Sequence, residues 1–532
     1  MTFDRDQSLL SDSLWPGRTI LLAFNDIFFF LLGGSAWILI NGIYAQIPFI
    51  ILMSDGNYGV VSKITLCVTL SSLLPILLSI SFFESFPRSP LVPSSKIKSV
   101  TNINSSKRTT RGPTSIHTFD NQNWYINIGI AFVLSIGLVT SFVLTIWTEG
   151  VISQLGSLMA TVTAGGIVGT TSSVLYYPHA ATTAKTTPLE FESSGNASNV
   201  ALNVAKRQTT AMMFGTATSN LFVAILAIFQ QQKLEQQPED RLESITVRNY
   251  FAILMIVMGL SATGFVGTLL IRRTMEDNAA SDSRKYNAYD HTSFSEQSSL
   301  MEAQSIKGRS TKLLDQNHRQ SYPARESFNE SLSFWEMTYL NSTLNASQFI
   351  LNAMTFFLPG IVPYSVRNEY DEKNKSSDAL QYLIVFQLVA QTLGVLASSC
   401  GGSSGSSCET TKSNVKRQVG SFFLFLWIPM VFLSFNNRKK FGVVIPIFFN
   451  TTLNFASAYC NTSWFHFSVH HHHPIGRTKE DTKANEAIYL ENGKYVSTTS
   501  VTRIMGTWHQ IGATVGSAIA FAIIQSAAIV PN

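Results

Sequence analysis

Long apolar runs alternate with polar stretches along this chain, and the runs are close to uniform in length. They lie near residues 20–45, 60–83, 124–147, 153–177, 209–230, 249–271, 346–366, 380–399, 418–435, 441–465 and 504–530. A run of about 20 apolar residues crosses a bilayer core as a helix, because each backbone group then finds its partner within the segment. A helix covering a water-soluble core would show charge on one face at 3.6-residue spacing, and most of these runs do not. The pattern predicts an all-α polytopic membrane protein of about eleven transmembrane helices in two bundles, as in transporters.

The polar stretches set the predicted organisation. Residues 1–19 form a cytoplasmic tail, 20–271 a first six-helix bundle and 346–532 a second five-helix bundle. Between them, 272–345 is rich in Ser, Asn, Gln and charge and is expected to be a disordered cytoplasmic loop. The acidic, polar start of the chain does not read as a cleavable signal peptide. Orientation follows from Lys and Arg between the runs. The stretch 85–122 carries Arg88, Lys96, Lys98, Lys107, Arg108 and Arg111 almost uncompensated, so it is placed in the cytoplasm together with the N-terminus. Acidic 231–248 then falls outside, as expected. Arg438, Lys439 and Lys440 are the exception, since alternation puts them outside as well.

Composition sharpens the class. Hydrophobic residues make up 45% of the chain and charged residues 13%, against roughly 25% charged in soluble domains. A net charge of +5 with no basic stripe excludes nucleic acid as a natural partner; the lipid bilayer is the expected one. Four cysteines are too few for a disulfide scaffold. The tract His470 to His473 lacks the spaced ligands of a metal site. No HExxH, GxSxG or Walker-type motif is present, so neither an enzyme nor a bound cofactor is expected.

Ionisable groups are scarce within the runs; Asp26 and His509 are among the few, both expected near span ends. A buried charge in a membrane is costly and marks ion or charged-substrate paths. Its scarcity points to a neutral substrate. The runs instead hold aromatic and amide side chains. Trp37, Asn41, Tyr44 and Gln46 lie in the first, Tyr176 ends the fourth, Asn352 lies in the seventh and Gln510 opens the last. A flat ring would stack on the aromatics and hydroxyls would bond to the amides. These seven are the candidate substrate-binding residues. Gly165 with Gly169, and Gly512 with Gly516, have the small-xxx-small spacing of closely packed helices.

The segment GSAWILINGIYAQIP at 34–48 resembles the first span of the eukaryotic riboflavin transporters, where G-S-W is followed by three apolar or small residues and N-G-[IL]-W-V-E-L-P. The Trp37-to-Asn41 spacing is kept. Tyr44 stands for a Trp and Gln46 for a Glu, so no role of that acid carries over. LSSLLP at 70–75, SSVLYYP at 172–178, LNAMT at 351–355 and QIG at 510–512 resemble later motifs of the same family in the same order. The resemblance implies an eleven-span plasma-membrane carrier of riboflavin, with its N-terminus in the cytoplasm, no bound cofactor and no sodium drive. An equilibrative nucleoside transporter, or another carrier of a neutral small solute, is the alternative.

Overall fold

Backbone N–H and C=O groups have no water to bond in hydrocarbon, so uncharged runs of this length are stable there only when coiled. The computed structural model describes residues 16–53, 59–85, 116–185, 197–236, 244–304, 333–340, 342–367, 373–400, 427–429, 431–432, 444–471 and 498–529, and its elements are helices throughout. In chain order they are α1 (Pro16–Gly34), α2 (Ile38–Ala45), α3 (Ile47–Met53), α4 (Gly59–Ser71), α5 (Leu73–Ser85), α6 (Ile116–Ile146), α7 (Thr148–Ser153) and α8 (Leu155–Lys185). They continue as α9 (Ala197–Gln236), α10 (Ser244–Gln304), α11 (Phe334–Leu340), α12 (Ser342–Arg367), α13 (Lys373–Cys400), α14 (Val444–His471) and α15 (Thr498–Ile529).

Among the described residues, eight spans are long and apolar enough to cross a membrane, and the bent pair α1–α2 makes a ninth. The chain is an all-helical polytopic membrane protein. Lipid-facing surface is plain on α6, where Ile128, Phe132, Val139, Phe142 and Ile146 are all about half exposed and recur at helical spacing on one face. The run expected at 441–465 is helical as α14, but Asn450, Asn454 and Asn461 lower its hydropathy below that of the others. The run expected at 418–435 lies outside the described residues except for 427–429 and 431–432.

The stretch 272–345, expected to be a disordered loop, is helical in its described parts. No Gly or Pro interrupts the chain between 272 and 304, and α10 continues unbroken to Gln304. Farther on, α11 opens with a capping box. The Ser333 backbone N–H donates to Glu336 Oε2 at 2.9 Å, and the Glu336 N–H donates to Ser333 Oγ at 3.3 Å.

The helices pack as two sets. In the first, α1 lies against α9 and α10, α10 against α6, α6 against α8, and α8 against α4; in the second, α12 runs along α15 and α13 along α14. The sets meet where α13 packs on α9 and where α15 packs on α8, α4 and α5. Neutral hydrogen bonds cross this seam. Gln381 Nε2 donates to the Ala227 carbonyl and Thr392 Oγ1 to the Ala217 carbonyl, both at 2.8 Å. The Ser79 and Thr507 hydroxyls are 2.5 Å apart, and Ser72 bonds Thr514.

Glycine permits the closest crossings. A Cβ on Gly33 would fall on the Met212 carbonyl, and one on Gly215 on the Phe30 carbonyl, so α1 and α9 touch backbone to backbone. The Gly512 and Gly516 pair does the same for α15 against the Phe349 and Ala353 carbonyls of α12. Overpacking a close contact costs about 1–3 kcal/mol. Gly516→Val should therefore lower the melting temperature of the detergent-purified protein clearly. Gly259→Ala, where an added Cβ meets nothing within 4 Å, should leave it unchanged.

Candidate functional site

Two polar pairs mark the ends of the first span. Arg207 of α9 forms an ion pair with Asp26 of α1. At the other end, Gln46 and Gln230 exchange amide hydrogen bonds, Gln46 Nε2 donating to Gln230 Oε1 at 2.7 Å and Gln230 Nε2 to Gln46 Oε1 at 3.1 Å. Twenty residues separate Asp26 from Gln46 and 23 separate Arg207 from Gln230. That is about 30–35 Å at 1.5 Å per residue, close to the thickness of a bilayer core. Asp26 is thus paired, and it lies toward the end of the span opposite Gln46.

Between these ends the span breaks. Ser35 Oγ donates back to the Leu32 carbonyl at 2.7 Å, its N–H bonds the same carbonyl at 3.1 Å, and the Ala36 N–H bonds the Gly33 carbonyl at 3.1 Å. This tight turn after Gly33 and Gly34 bends α1 against α2 by 40°. It presents Ala36 and Trp37 to a cavity of about 80 Å³ between the two sets of helices. From α8 come Ser172, Ser173, Tyr176 and Tyr177; from α9, Met212, Met213 and Thr216; from α14, Asn461, Thr462 and Phe465; from α15, His509. The wall contains no Asp, Glu, Lys or Arg.

Two different chemistries close this space. Toward the Asp26 end, Tyr177 of the first set stacks on Phe465 of the second with ring centroids 4.5 Å apart, and Met213, Phe465 and Met505 form one apolar cluster. Toward the Gln46 end runs a chain of amides. Asn41 Nδ2 donates to Asn220 Oδ1 at 2.5 Å, Asn220 Nδ2 to Gln391 Oε1 at 3.3 Å and Gln391 Nε2 to Asn454 Oδ1 at 3.0 Å. Asn454 Nδ2 donates on to Asn450 Oδ1 at 3.0 Å, and Asn450 Nδ2 to Gln387 Oε1 at 3.4 Å. Six amides on α2, α9, α13 and α14 thereby link both sets.

The seven candidate residues fall into three groups. Trp37 and Tyr176 line the cavity. Tyr176 is held by its hydroxyl, 2.9 Å from Ser35 Oγ. Asn352 and Gln510 stand one hydrogen bond behind the wall, Asn352 exchanging bonds with Asn461 at 3.3 Å and Gln510 Nε2 donating to Ser173 Oγ at 2.8 Å. The remaining three do not line it. Asn41 belongs to the amide chain, Tyr44 packs on the apolar core, and Gln46 is fully buried and satisfied by Gln230. A buried amide without a partner is costly, and Gln230 supplies one without any ligand.

His509 was expected near a span end. The last span instead begins at Ser500, which carries His509 inward to the cavity wall. The i, i+4 amide pairs, Gln387 with Gln391 and Asn450 with Asn454, are the sequence signal for the facing stripes of α13 and α14. Met212, Met213, Thr216, Thr462 and Phe465 carry no comparable signal. Among the described residues no three His, Cys, Asp or Glu side chains group as metal ligands. The tract His470 to His473 lies outside the described side chains.

No protein-family model matches the chain, and no curated protein matches it. Among solved structures the chain is similar to a bacterial homolog of the human lysosomal transporter Spinster in an inward-facing and occupied conformation, at 12% identity over 97% of this chain and 86% of that one, with a TM-score of 0.38. It is similar to a proton-dependent oligopeptide transporter at 10% identity over 95% of this chain and 98% of that one, TM-score 0.37. A variant of the E. coli fucose:proton symporter matches at 13% identity over 95% and 97%, TM-score 0.32. Superpositions this loose carry no assignment of function.

The Gln46 and Gln230 pair generates a sharp expectation. Removing one partner strands a buried amide, at about 1–3 kcal/mol, whereas removing both leaves no amide stranded. Gln46→Leu should lower the melting temperature, and adding Gln230→Leu should restore most of the loss. An additive double mutant would show that the two amides do not act as a pair.

Proposed function

We propose that this chain is a carrier of a neutral small solute that bears a flat ring and several hydrogen-bonding groups, and that riboflavin is that solute. The observation behind this reading is the cavity. It lies between two helix sets, near mid-membrane, with aromatic rings, hydroxyls and amides in its wall and no charged side chain. Rings stack on Trp37, Tyr177 and Phe465, while a polyol finds oxygen and amide partners in Ser172, Ser173, Thr216 and Asn461. The resemblance at 34–48 favours riboflavin over a nucleoside within that class.

Transport would alternate between the two closures. At about 80 Å³ the cavity is well below the roughly 300–1,000 Å³ of sites for drug-sized ligands. Admission of a tricyclic ring therefore needs the sets to part, either at the Tyr177–Phe465 stack or at the amide chain. Both closures, and the bonds across the seam, are neutral, so parting them separates no opposite charges. The basic stretch 85–122 supports a cytoplasmic N-terminus, and the resemblance at 34–48 implies the plasma membrane. An N-terminal epitope should stain only after cells are permeabilised.

Uptake of labelled riboflavin by cells expressing the chain tests the substrate. Saturable uptake, blocked by riboflavin and lumiflavin but not by uridine, is expected. Uptake blocked by uridine, or no flavin uptake with protein at the surface, would overturn riboflavin. Asn41→Ala should cut that uptake about tenfold, because Asn220 loses its donor at the first link of the chain, and should leave surface protein unchanged.

A further inference from the structure

Several hydroxyls of the cavity wall have their protons already committed. Each wall hydroxyl has a single proton, and three of them spend it on helix carbonyls. Ser172 Oγ donates to the Gly169 carbonyl at 2.6 Å, Ser173 Oγ to the Thr170 carbonyl at 3.0 Å and Thr216 Oγ1 to the Gly33 carbonyl at 3.0 Å. What these oxygens turn toward the cavity is lone pairs. The neighbouring amide nitrogens are engaged as well, Gln510 Nε2 on Ser173 and Asn461 Nδ2 on Asn352. Ser172, Ser173 and Thr216 therefore meet a solute as acceptors.

His509 completes this picture. Its Nδ1 is buried at the wall without a hydrogen-bond partner. The imidazole meets Phe356 edge to face with centroids 6.0 Å apart, and Phe356 in turn tilts against Trp37 at 5.7 Å. Phe356 thus sits between Trp37 and His509, which both line the cavity, and holds the imidazole from behind. No wall carboxylate is present to favour an imidazolium. A neutral imidazole has one nitrogen that accepts and one that donates.

We propose that His509 is the specificity-determining residue of this cavity, its Nδ1 accepting a hydrogen bond from a ring N–H of the solute. The site then selects neutral heterocycles that carry an imide or lactam N–H and other donors. It disfavours rings alkylated at that nitrogen. This rests on the carrier reading above and narrows its substrate class.

The test is equilibrium binding to the full-length purified chain of two flavins, lumiflavin and its N3-methyl derivative, which differ in one ring N–H. Wild-type protein should bind lumiflavin about tenfold more tightly, the worth of one hydrogen bond to a buried acceptor. His509→Phe, which keeps a ring against Phe356, should lose that factor for lumiflavin and bind the two equally. His509→Asn, whose amide oxygen stands close to the Nδ1 position, should recover the discrimination. His509→Gln, whose amide reaches past it, should not, and this variant decides the matter if the Phe substitution fails to fold. Equal binding of the two flavins by wild type, or discrimination kept in both the Phe and Gln variants, overturns the role of His509 and leaves the carrier reading standing. Wild-type protein that binds neither flavin overturns riboflavin as substrate and this inference with it.

Discussion

A polar group inside a bilayer must find its hydrogen-bond partner within the protein, and this constraint shapes the molecule at every scale. It forces the apolar runs to coil, since only a helix satisfies its own backbone. It governs side chains too. Gln46 and Gln230 satisfy each other, and α13 sends Gln381 and Thr392 to backbone carbonyls of α9. The six-amide chain from Asn41 to Gln387 is the longest expression of the rule. Each amide both donates and accepts, so such a chain crosses four helices and needs capping only at its ends.

The same constraint explains why the cavity has a definite chemistry. Serine and threonine in helices return their protons to carbonyls three or four residues back, as Ser172 and Ser173 do. Surfaces built from such residues present acceptors. The apolar closure on one side, through Tyr177, Phe465, Met213 and Met505, costs little to open and re-form because methionine adapts its shape. The amide closure on the other side is likewise free of charge. Two neutral closures around one cavity fit the proposed parting of the helix sets, which buried ion pairs would oppose.

Much of this was legible from residue order. Apolar runs located the spans, and Trp37 and Tyr176 were recognisable as aromatic groups at a site. Gln46 was not legible as a structural residue, because its partner Gln230 lies 184 positions away. His509 was misplaced for a different reason. Arg503 made the start of the last run look polar, so the span seemed to begin later than Ser500. The helix through 272–304 was hidden by polar composition, although the absence of Gly and Pro permitted it.

What residue order determined by itself is the class of molecule, since transfer into a bilayer depends on local composition over about 20 residues. An all-helical membrane protein, short of charge and supplied with buried amides and small-residue stripes, follows from that alone. Tertiary packing decided which amides face each other, which glycines become crossing points and which aromatic rings meet across the seam. Those outcomes depend on contacts between positions far apart in the chain, such as Ser173 with Gln510 and Tyr177 with Phe465. No local pattern encodes them, because an amide or a ring looks the same in sequence whether it bonds a neighbouring helix or turns toward a cavity.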